Sequence, residues 1–475
     1  MTISPATILN EYATKTPSTS GTYGFLTADQ QRKTAKLWQL IFQYLDSVRD
    51  KPVKVVGELL QKVDRDWSEL GPDEPGLEGL GPEEITRRAW QFTKTSGGLH
   101  RIAFGSKKTK LPLDKLLLDR HVNETTQQYL DRTIGRPVRL IPDNYFPSFK
   151  HPDNETRNLA DMFWTVASSK MHPDIWLHRY LRAMGWDVDR AFSTIKSVLE
   201  WRAAEAADRL NYEGDITSGL DEFRLEFCRL VGRDRLGYLL YHVTVRNIMP
   251  RATEPFVFKR YLITIFEGIQ SVTRGYNRAT MIYDFTGFSL DNTPFQMVHF
   301  MVTLGMKQYA DSTSMIILLV DSWLFSNFWN LIRPFLDANL GSRIVFAKNA
   351  DEVMRYVDRD QLPVCAGGTN EFSLEYRLPQ EGENAAMFDT EGRRAAEQVW
   401  RDKTAEFEKV TKLWVSAMLD AKADSSMEEK TPVDGQRDAA AQELFAAELK
   451  LSKFTYSRNV YHRHGMVDET ANLKF

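Results

Sequence analysis

The chain has 475 residues, of which 42% are hydrophobic, so it is long enough for two or three folded units with a sizeable core. Its net charge of −3 argues against nucleic acid as a partner, because phosphate binding requires a strong basic excess. The two cysteines, Cys228 and Cys365, cannot build a disulfide framework. The first residues lack the pattern of a signal peptide. The longest apolar run, 315–320, is too short to cross a bilayer. We therefore expect a cytoplasmic protein with only transient, peripheral membrane association.

The N-terminal part is predicted to contain a disordered segment and one helix. Residues 1–24 are rich in Ser, Thr and Gly and are predicted to be disordered. A helix is expected over 25–50, with Thr27 as its N-cap and Gln30 as the capping-box partner.

A linker or insertion is predicted over 51–156. Residues 65–84 are acidic and contain several Pro and Gly, which is typical of a flexible linker. Residues 100–121 are basic with some apolar character, which indicates a solvated face, or alternatively a weak membrane-surface segment.

A helical module is predicted over 157–212. Its apolar positions recur at helical spacing, and Gly185 and Asp187 interrupt them, so we expect two or three short helices packed as a bundle.

From 220 to 372 the pattern changes to short apolar runs that alternate with helical segments. This alternation predicts an α/β domain with a mostly parallel sheet and crossover helices. Strands are expected at 237–245, 279–285, 314–321 and 343–347, and helices at about 256–274, 294–309 and 323–336. The remaining part, 385–475, is predicted to hold a last helix over 391–421 and then a charged tail joined by a linker at 424–438.

No motif supports catalysis. The sequence lacks a G-x-S-x-G elbow, a P-loop and a C-x-x-C pair. His462 and His464 have no third ligand nearby in sequence, and Asp321-Ser322 is better explained as a helix N-cap before Trp323. We therefore expect no enzyme activity, no cofactor and no metal.

The segment 324–336 is unusually aromatic for an ordinary surface helix. Polar residues recur at helical spacing along one side, so the apolar stripe that fills the rest is wide. Any single aromatic residue here fits an ordinary core helix. Exposing the whole stripe to water would cost about 1.5–3 kcal/mol for each large side chain. We therefore expect a hydrophobic ligand or a membrane to cover part of the stripe.

Four stretches together resemble the CRAL-TRIO lipid-binding family, in its fungal phosphatidylinositol-transfer-protein branch. The likeness covers roughly residues 158–370, and the stretches keep the order and spacing of the family. They are LHRYLRAMGWDVDRA, MIYDFTGFS, QYADSTSMIILLVDSWLFSNFWNLIRPFLD, and SRIVFAKNADEV with VDRDQLPVCAGG.

The resemblance implies an N-terminal helical bundle followed by a CRAL-TRIO-type mixed, mostly parallel sheet with a lipid cavity and a gate helix. The implied function is to bind one hydrophobic lipid and to transfer it between membranes. The strand positions implied to line the cavity are Met281, Tyr283, Ile316, Leu318, Ile344 and Phe346. On the gate helix, Trp329 and Ile332 are expected to face the cavity, and Phe325, Phe328, Leu331 and Phe335 the membrane.

For the lipid headgroup, the resemblance implies Asp311 before the third strand and Arg343 at the start of the last strand. The sequence departs from the family's phosphoinositide binders at Met184 and Gly185, where a basic pair is usual, and at Leu340, where a hydroxyl is usual. Phosphatidylinositol binding is therefore predicted to be weakened.

Two alternatives stay open. The ligand can be a sterol or another neutral lipid, or the chain can be a lipid-sensing regulatory or scaffold protein. In the second case 51–156 or the C-terminal tail would contact a protein partner.

Overall fold

The computed structural model describes residues 23–51 and 158–467, apart from short gaps. The gaps are at 206, 218–222, 224–226, 249–254, 273, 275–277, 289–294, 321–323, 337, 372–375, 378–381 and 421–431. Three predictions lie outside the described residues. They are the insertion over 51–156 apart from its first residue, the disorder over 1–24 apart from its last two residues, and the cap at Asp321-Ser322.

The first helix, α1, spans Ala28–Val48 and begins at the predicted cap. The Thr27 hydroxyl accepts a hydrogen bond from Gln30 N at 3.2 Å, and Gln30 Oε1 accepts one from Thr27 N at 3.0 Å. The predicted capping box is thus confirmed. The buried face of the helix carries Leu37, Trp38, Ile41 and Leu45.

Among the described residues, four helices cover the predicted helical module over 157–212, one more than the two or three expected, and the last ends one residue beyond it. They are α2, Leu159–Ser168, α3, Pro173–Ala183, α4, Val188–Ala204, and α5, Ala207–Glu213. The first three share one core with α1.

The sheet has five strands in the order β1-β2-β3-β4-β5, with β1 antiparallel to β2 and the other neighbours parallel. The strands are β1, Cys228–Arg233, β2, Leu239–Thr244, β3, Ala279–Asp284, β4, Thr313–Leu319, and β5, Ile344–Ala347. The mixed, mostly parallel α/β fold is therefore confirmed. Sequence reasoning missed β1.

Each face of the sheet has its own core, because side chains alternate along a strand. The crossover helices α6, Pro255–Val272, α7, Phe295–Thr303, and α8, Leu324–Ile332, pack on one face, and a π-helical turn at 304–308 extends α7. On the opposite face, Ile282, Ile317 and Val345 pack against Val353 and Leu362. Two single-turn helices, α9, Ala338–Gly341, and α10, Ala350–Val353, flank β5.

Two long helices and one short helix follow the sheet. They are α11, Thr390–Asp420, α12, Pro432–Thr455, and α13, Val460–Arg463. The predicted last helix matches α11, whereas the predicted linker and tail were wrong in part, because α12 already begins at Pro432. His462 caps α13, so it is not in a free tail.

Helix α12 returns to the helical module and contacts α1 and α3 through one buried carboxylate. Asp174 accepts hydrogen bonds from Trp38 Nε1 at 2.7 Å and from Arg437 Nη1 at 2.7 Å. The Arg437 guanidinium also lies 4.3 Å from the ring centroid of Trp414 on α11. The two ends of the described chain are thus parts of one core.

No helix among the described residues is long and apolar enough to cross a membrane. Both cysteines, Cys228 and Cys365, are free thiols.

Candidate functional site

The six strand positions predicted to line a cavity form two rows across the sheet. Strand register aligns Met281, Ile316 and Ile344 in one row, and Tyr283, Leu318 and Phe346 in the next. All six side chains point to the face that α6, α7 and α8 cover, since they alternate with residues of the opposite core. The rows form an apolar floor beneath α8, the predicted gate helix.

Helix α8, the predicted gate, lies over this floor through edge-on aromatic contacts. The ring centroids of Phe325 and Phe285 are 4.7 Å apart, and those of Trp329 and Phe346 are 5.1 Å apart. Ile332 is buried and lies one helical turn after Trp329. Trp329 and Ile332 therefore lie on the floor side of the helix.

The positions predicted to face the membrane divide into two groups. Phe325 and Phe328 are only 5% and 6% exposed and pack inward, which differs from the prediction. The reason is helical spacing, because residues at i, i+3 and i+7 share one stripe with Ile332. Phe335 lies outside, 39% exposed, after the helix has turned into a 3₁₀ segment. The side chain of Leu331 lies outside the described residues.

Phe346 shows that the floor is incompletely covered. It occupies the floor side of β5, yet 52% of its surface is exposed, whereas Leu318 in the same row is 6% exposed. Among the residues that the structure describes, the side chains thus leave the β5 end of the floor partly uncovered beside Trp329.

A buried charge cluster lies at the other end of the strands. Arg278, Asp311 and Arg343 precede β3, β4 and β5, so the parallel register brings them to one edge of the sheet. Arg182 at the end of α3 joins them. The predicted pair Asp311 and Arg343 is in direct contact, and sequence reasoning missed Arg182 and Arg278.

Asp311 accepts hydrogen bonds from all three arginines. Arg182 Nε lies 2.6 Å from Asp311 Oδ2, and Arg278 Nη2 lies 2.9 Å from the same oxygen. Arg343 Nη2 donates to Asp311 Oδ1, and Arg343 Nη1 donates to the Thr313 carbonyl. The side chains of Asp311, Arg182, Arg278 and Arg343 are at most 8% exposed.

The electrostatics of the cluster follow from burial and from its unequal charges. Burial alone would raise the pKa of Asp311, but Arg278, Arg343 and Arg182 together hold it well below its usual value. Burial lowers the pKa of Arg182 to about 10, although Asp311 opposes that shift. Asp311 also adopts a left-handed backbone with φ of 53°, a conformation that is uncommon outside glycine and is found at constrained sites.

The family's basic pair has no equivalent here. Met184 is the C-cap of α3, and Gly185 has φ of 63° in the turn that follows. That turn therefore presents no cation beside the cluster.

Comparisons with known proteins agree with this architecture. Residues 224–368 match the family model described as the CRAL/TRIO domain. A CRAL-TRIO domain-containing protein of Schizosaccharomyces pombe is 25% identical over 384 residues, which cover 79% of this chain and 81% of that protein. The phosphatidylinositol transfer protein CSR1 of Eremothecium gossypii is 23% identical, over 64% of this chain and 70% of its own length. The crystal structure of Sfh5 matches 42% of this chain and 73% of its own at 13% identity, with a TM-score of 0.35, a likeness from which we infer nothing.

Proposed function

We propose that this chain, whose residues 224–368 match the CRAL/TRIO domain and whose relatives include a fungal phosphatidylinositol transfer protein, binds a single hydrophobic lipid and transfers it between membranes without chemical change. The acyl or ring portion of the lipid lies on the apolar floor under α8. The protein works in the cytoplasm and meets membranes transiently at their surface.

The exposure of Phe346 is the observation that carries this proposal. A large aromatic side chain on the floor side of a strand is normally covered by a crossover helix, and leaving it in water forfeits about 1.5–3 kcal/mol. A lipid chain between β5 and α8 would remove that cost. An opening gate would also bring Phe335, already exposed, to the membrane surface.

A transfer assay between liposomes tests the proposal. Labelled phosphatidylinositol or sterol is loaded in donor vesicles, and its arrival in acceptor vesicles is followed with catalytic amounts of protein. Phe346→Ser is expected to slow transfer several-fold. The matched control is Leu413→Ser, since Leu413 is 56% exposed on α11, far from the floor in sequence. Equal transfer rates for both variants and the unchanged protein would show that the apolar floor has no role in lipid transfer.

Phosphatidylinositol is the first ligand candidate. It is supported by the name of the relative CSR1 and by the family positions of Asp311 and Arg343. A headgroup phosphate would have to reach the edge of the sheet where the arginine cluster lies.

A less polar ligand, such as a sterol or another neutral lipid, is the second candidate. The observation that favours it is the internal pairing of Arg343, whose guanidinium already contacts Asp311 and the Thr313 carbonyl while its side chain is 4% exposed. Arg343→Ala should weaken phosphatidylinositol binding and spare sterol binding if Arg343 holds a headgroup. An equal loss for both ligands would make Arg343 a purely structural residue.

A lipid-sensing scaffold is distinguished by the same transfer assay. A sensor would bind labelled lipid at one molecule per protein, yet it would not move lipid to acceptor vesicles at substoichiometric concentration.

A further inference from the structure

A small polar cavity lies away from the apolar floor, between α3, α4 and α6 and beside Tyr456, which directly follows α12. The space open to the centre of a water molecule is about 30 Å³. One water needs about 10–15 Å³ by this measure, so the cavity holds about two waters or one small oxyanion. Among its lining residues are Lys170, Arg179, Gln270, Arg274 and Gln308.

Arg179 is the residue that makes this cavity unusual. It is 4% exposed, and its Nη1 donates to Gln270 Oε1 at 2.7 Å. Its buried Nε has no acceptor, and no carboxylate lies within ion-pair distance, among the residues that the structure describes. A buried guanidinium whose hydrogen bond goes to a neutral amide is costly, because burial of charge requires an opposite charge.

The other charged groups at the cavity do not neutralise Arg179. Lys170 Nζ donates to the carbonyl of the same Gln270 at 3.2 Å, and Arg274 is engaged by Glu448. Glu267 also lines the cavity, but its carboxylate accepts hydrogen bonds from Arg202, Asn211 and Tyr309. Burial, with Arg179 and Arg274 nearby, lowers the pKa of Lys170 well below its usual value.

Gln308 also lines the cavity and carries one buried acceptor. Gln308 Oε1 is buried and has no hydrogen-bond donor among the described residues. An oxyanion that also carries an O–H group would satisfy both Arg179 and Gln308. Hydrogen phosphate has such a group at neutral pH, whereas sulfate and a lipid phosphodiester do not.

We propose that this cavity binds a phosphate that keeps a free hydroxyl. Arg179 and Lys170 would donate hydrogen bonds to the phosphate oxygens, and the phosphate hydroxyl would donate one to Gln308 Oε1. The phosphate would link the helical module to α6 and to the π-helical turn at 304–308. The proposal does not rest on the lipid-transfer function, since none of these residues lies on the apolar floor.

Isothermal titration calorimetry of the full chain tests the proposal with three probes at one ionic strength. Inorganic phosphate is expected to bind about tenfold more tightly than sulfate, because sulfate leaves Gln308 without its donor. Glycerophosphoinositol represents the lipid headgroup. Binding of glycerophosphoinositol but not of phosphate would make the headgroup the source of the phosphate and overturn the role of Gln308.

Two variants and one control complete the test. Arg179→Gln should abolish phosphate binding, while Arg394→Gln, an exposed position on α11, should leave it unchanged. Gln308→Leu should bring phosphate and sulfate to equal affinity. Phosphate binding that survives Arg179→Gln, or an unchanged protein that binds neither phosphate nor glycerophosphoinositol, overturns the proposal. If Arg179→Gln does not fold, the comparison of phosphate with sulfate in the unchanged protein still decides it.

Discussion

Replacing Asp311 by Asn is predicted to destabilise the fold strongly. The Asp311 carboxylate is the group that Arg182, Arg278 and Arg343 share, and it is fully buried. Asn keeps the shape but removes the negative charge. Removing one partner of a buried ion pair typically costs about 3–5 kcal/mol, and here three cations lose the same partner, so the loss should be at least in that range.

The substitution Arg343→Met should change the free energy of unfolding in opposite directions in the unchanged protein and in the Asp311→Asn variant. Arg343→Met alone should cost less than Asp311→Asn, because Asp311 keeps two arginines. In the Asp311→Asn background, however, Arg343→Met should restore stability, since it removes one of three buried positive charges. The double variant is therefore expected to be more stable than Asp311→Asn alone.

Urea unfolding followed by tryptophan fluorescence and circular dichroism measures these differences. The control is Asp358→Asn, because Asp358 is 53% exposed and pairs with Arg235 at 3.0 Å, an arrangement worth about 0–1 kcal/mol. The reasoning fails if Asp311→Asn loses no more than Asp358→Asn. It also fails if the double variant is the least stable of the set.

Three further predictions concern other parts of the molecule. A disulfide engineered between α8 and β5, near Trp329 and Phe346, should block lipid transfer, retain bound lipid and release the block on reduction; transfer at the unchanged rate in the oxidised protein would show that α8 is not the gate. Burial lowers the pKa of His178 from 6.5 to about 3, so between these pH values the unfolded chain binds a proton that the folded chain does not bind. The free energy of unfolding should therefore fall as the pH drops from 6.5 towards 3, by on the order of 5 kcal/mol from this group. His178→Gln should flatten this part of the pH profile, and an identical slope would contradict the assignment. Thr27→Ala should lower stability by about 1 kcal/mol in the same urea assay through loss of the capping box, whereas a change below a few tenths would mean that α1 is held by packing alone.

Local sequence signals predicted the parts of the fold that depend on local physics. The capping box at Thr27 needs only residues three apart. The rows of the floor follow from the period of two along β3, β4 and β5, which the apolar runs already displayed. The alternation of strands and helices likewise predicted the crossover helices.

The charge cluster depended on register and on distant contacts, which no local pattern contains. Arg182 meets Asp311 from 129 positions away, and Arg278 reaches it only because β3 and β4 begin at one edge. The left-handed backbone at Asp311 could not be predicted either, because the usual sequence signal for this conformation, a glycine, is absent at that position.

Two missed elements had weak patterns for different reasons. Helix α12 packs partly through small residues such as Ala440, Ala441 and Ala447, which do not form a conspicuous apolar stripe in the sequence. Strand β1 is a short edge strand interrupted by Gly232, and arginines occupy two of its six positions.

The contact of Trp38 and Arg437 with one carboxylate has a consequence for synthesis on the ribosome. Helix α1 emerges early, but the arginine that completes its packing is made roughly 400 residues later. At roughly 5–20 residues per second, the apolar face of α1 waits roughly 20–80 s for α11 and α12. During that interval α1 packs only against α2, α3 and α4, and Trp38 and Asp174 lack the contact with Arg437. The last helices are therefore the step that completes the core around α1, which the early helices can cover only in part.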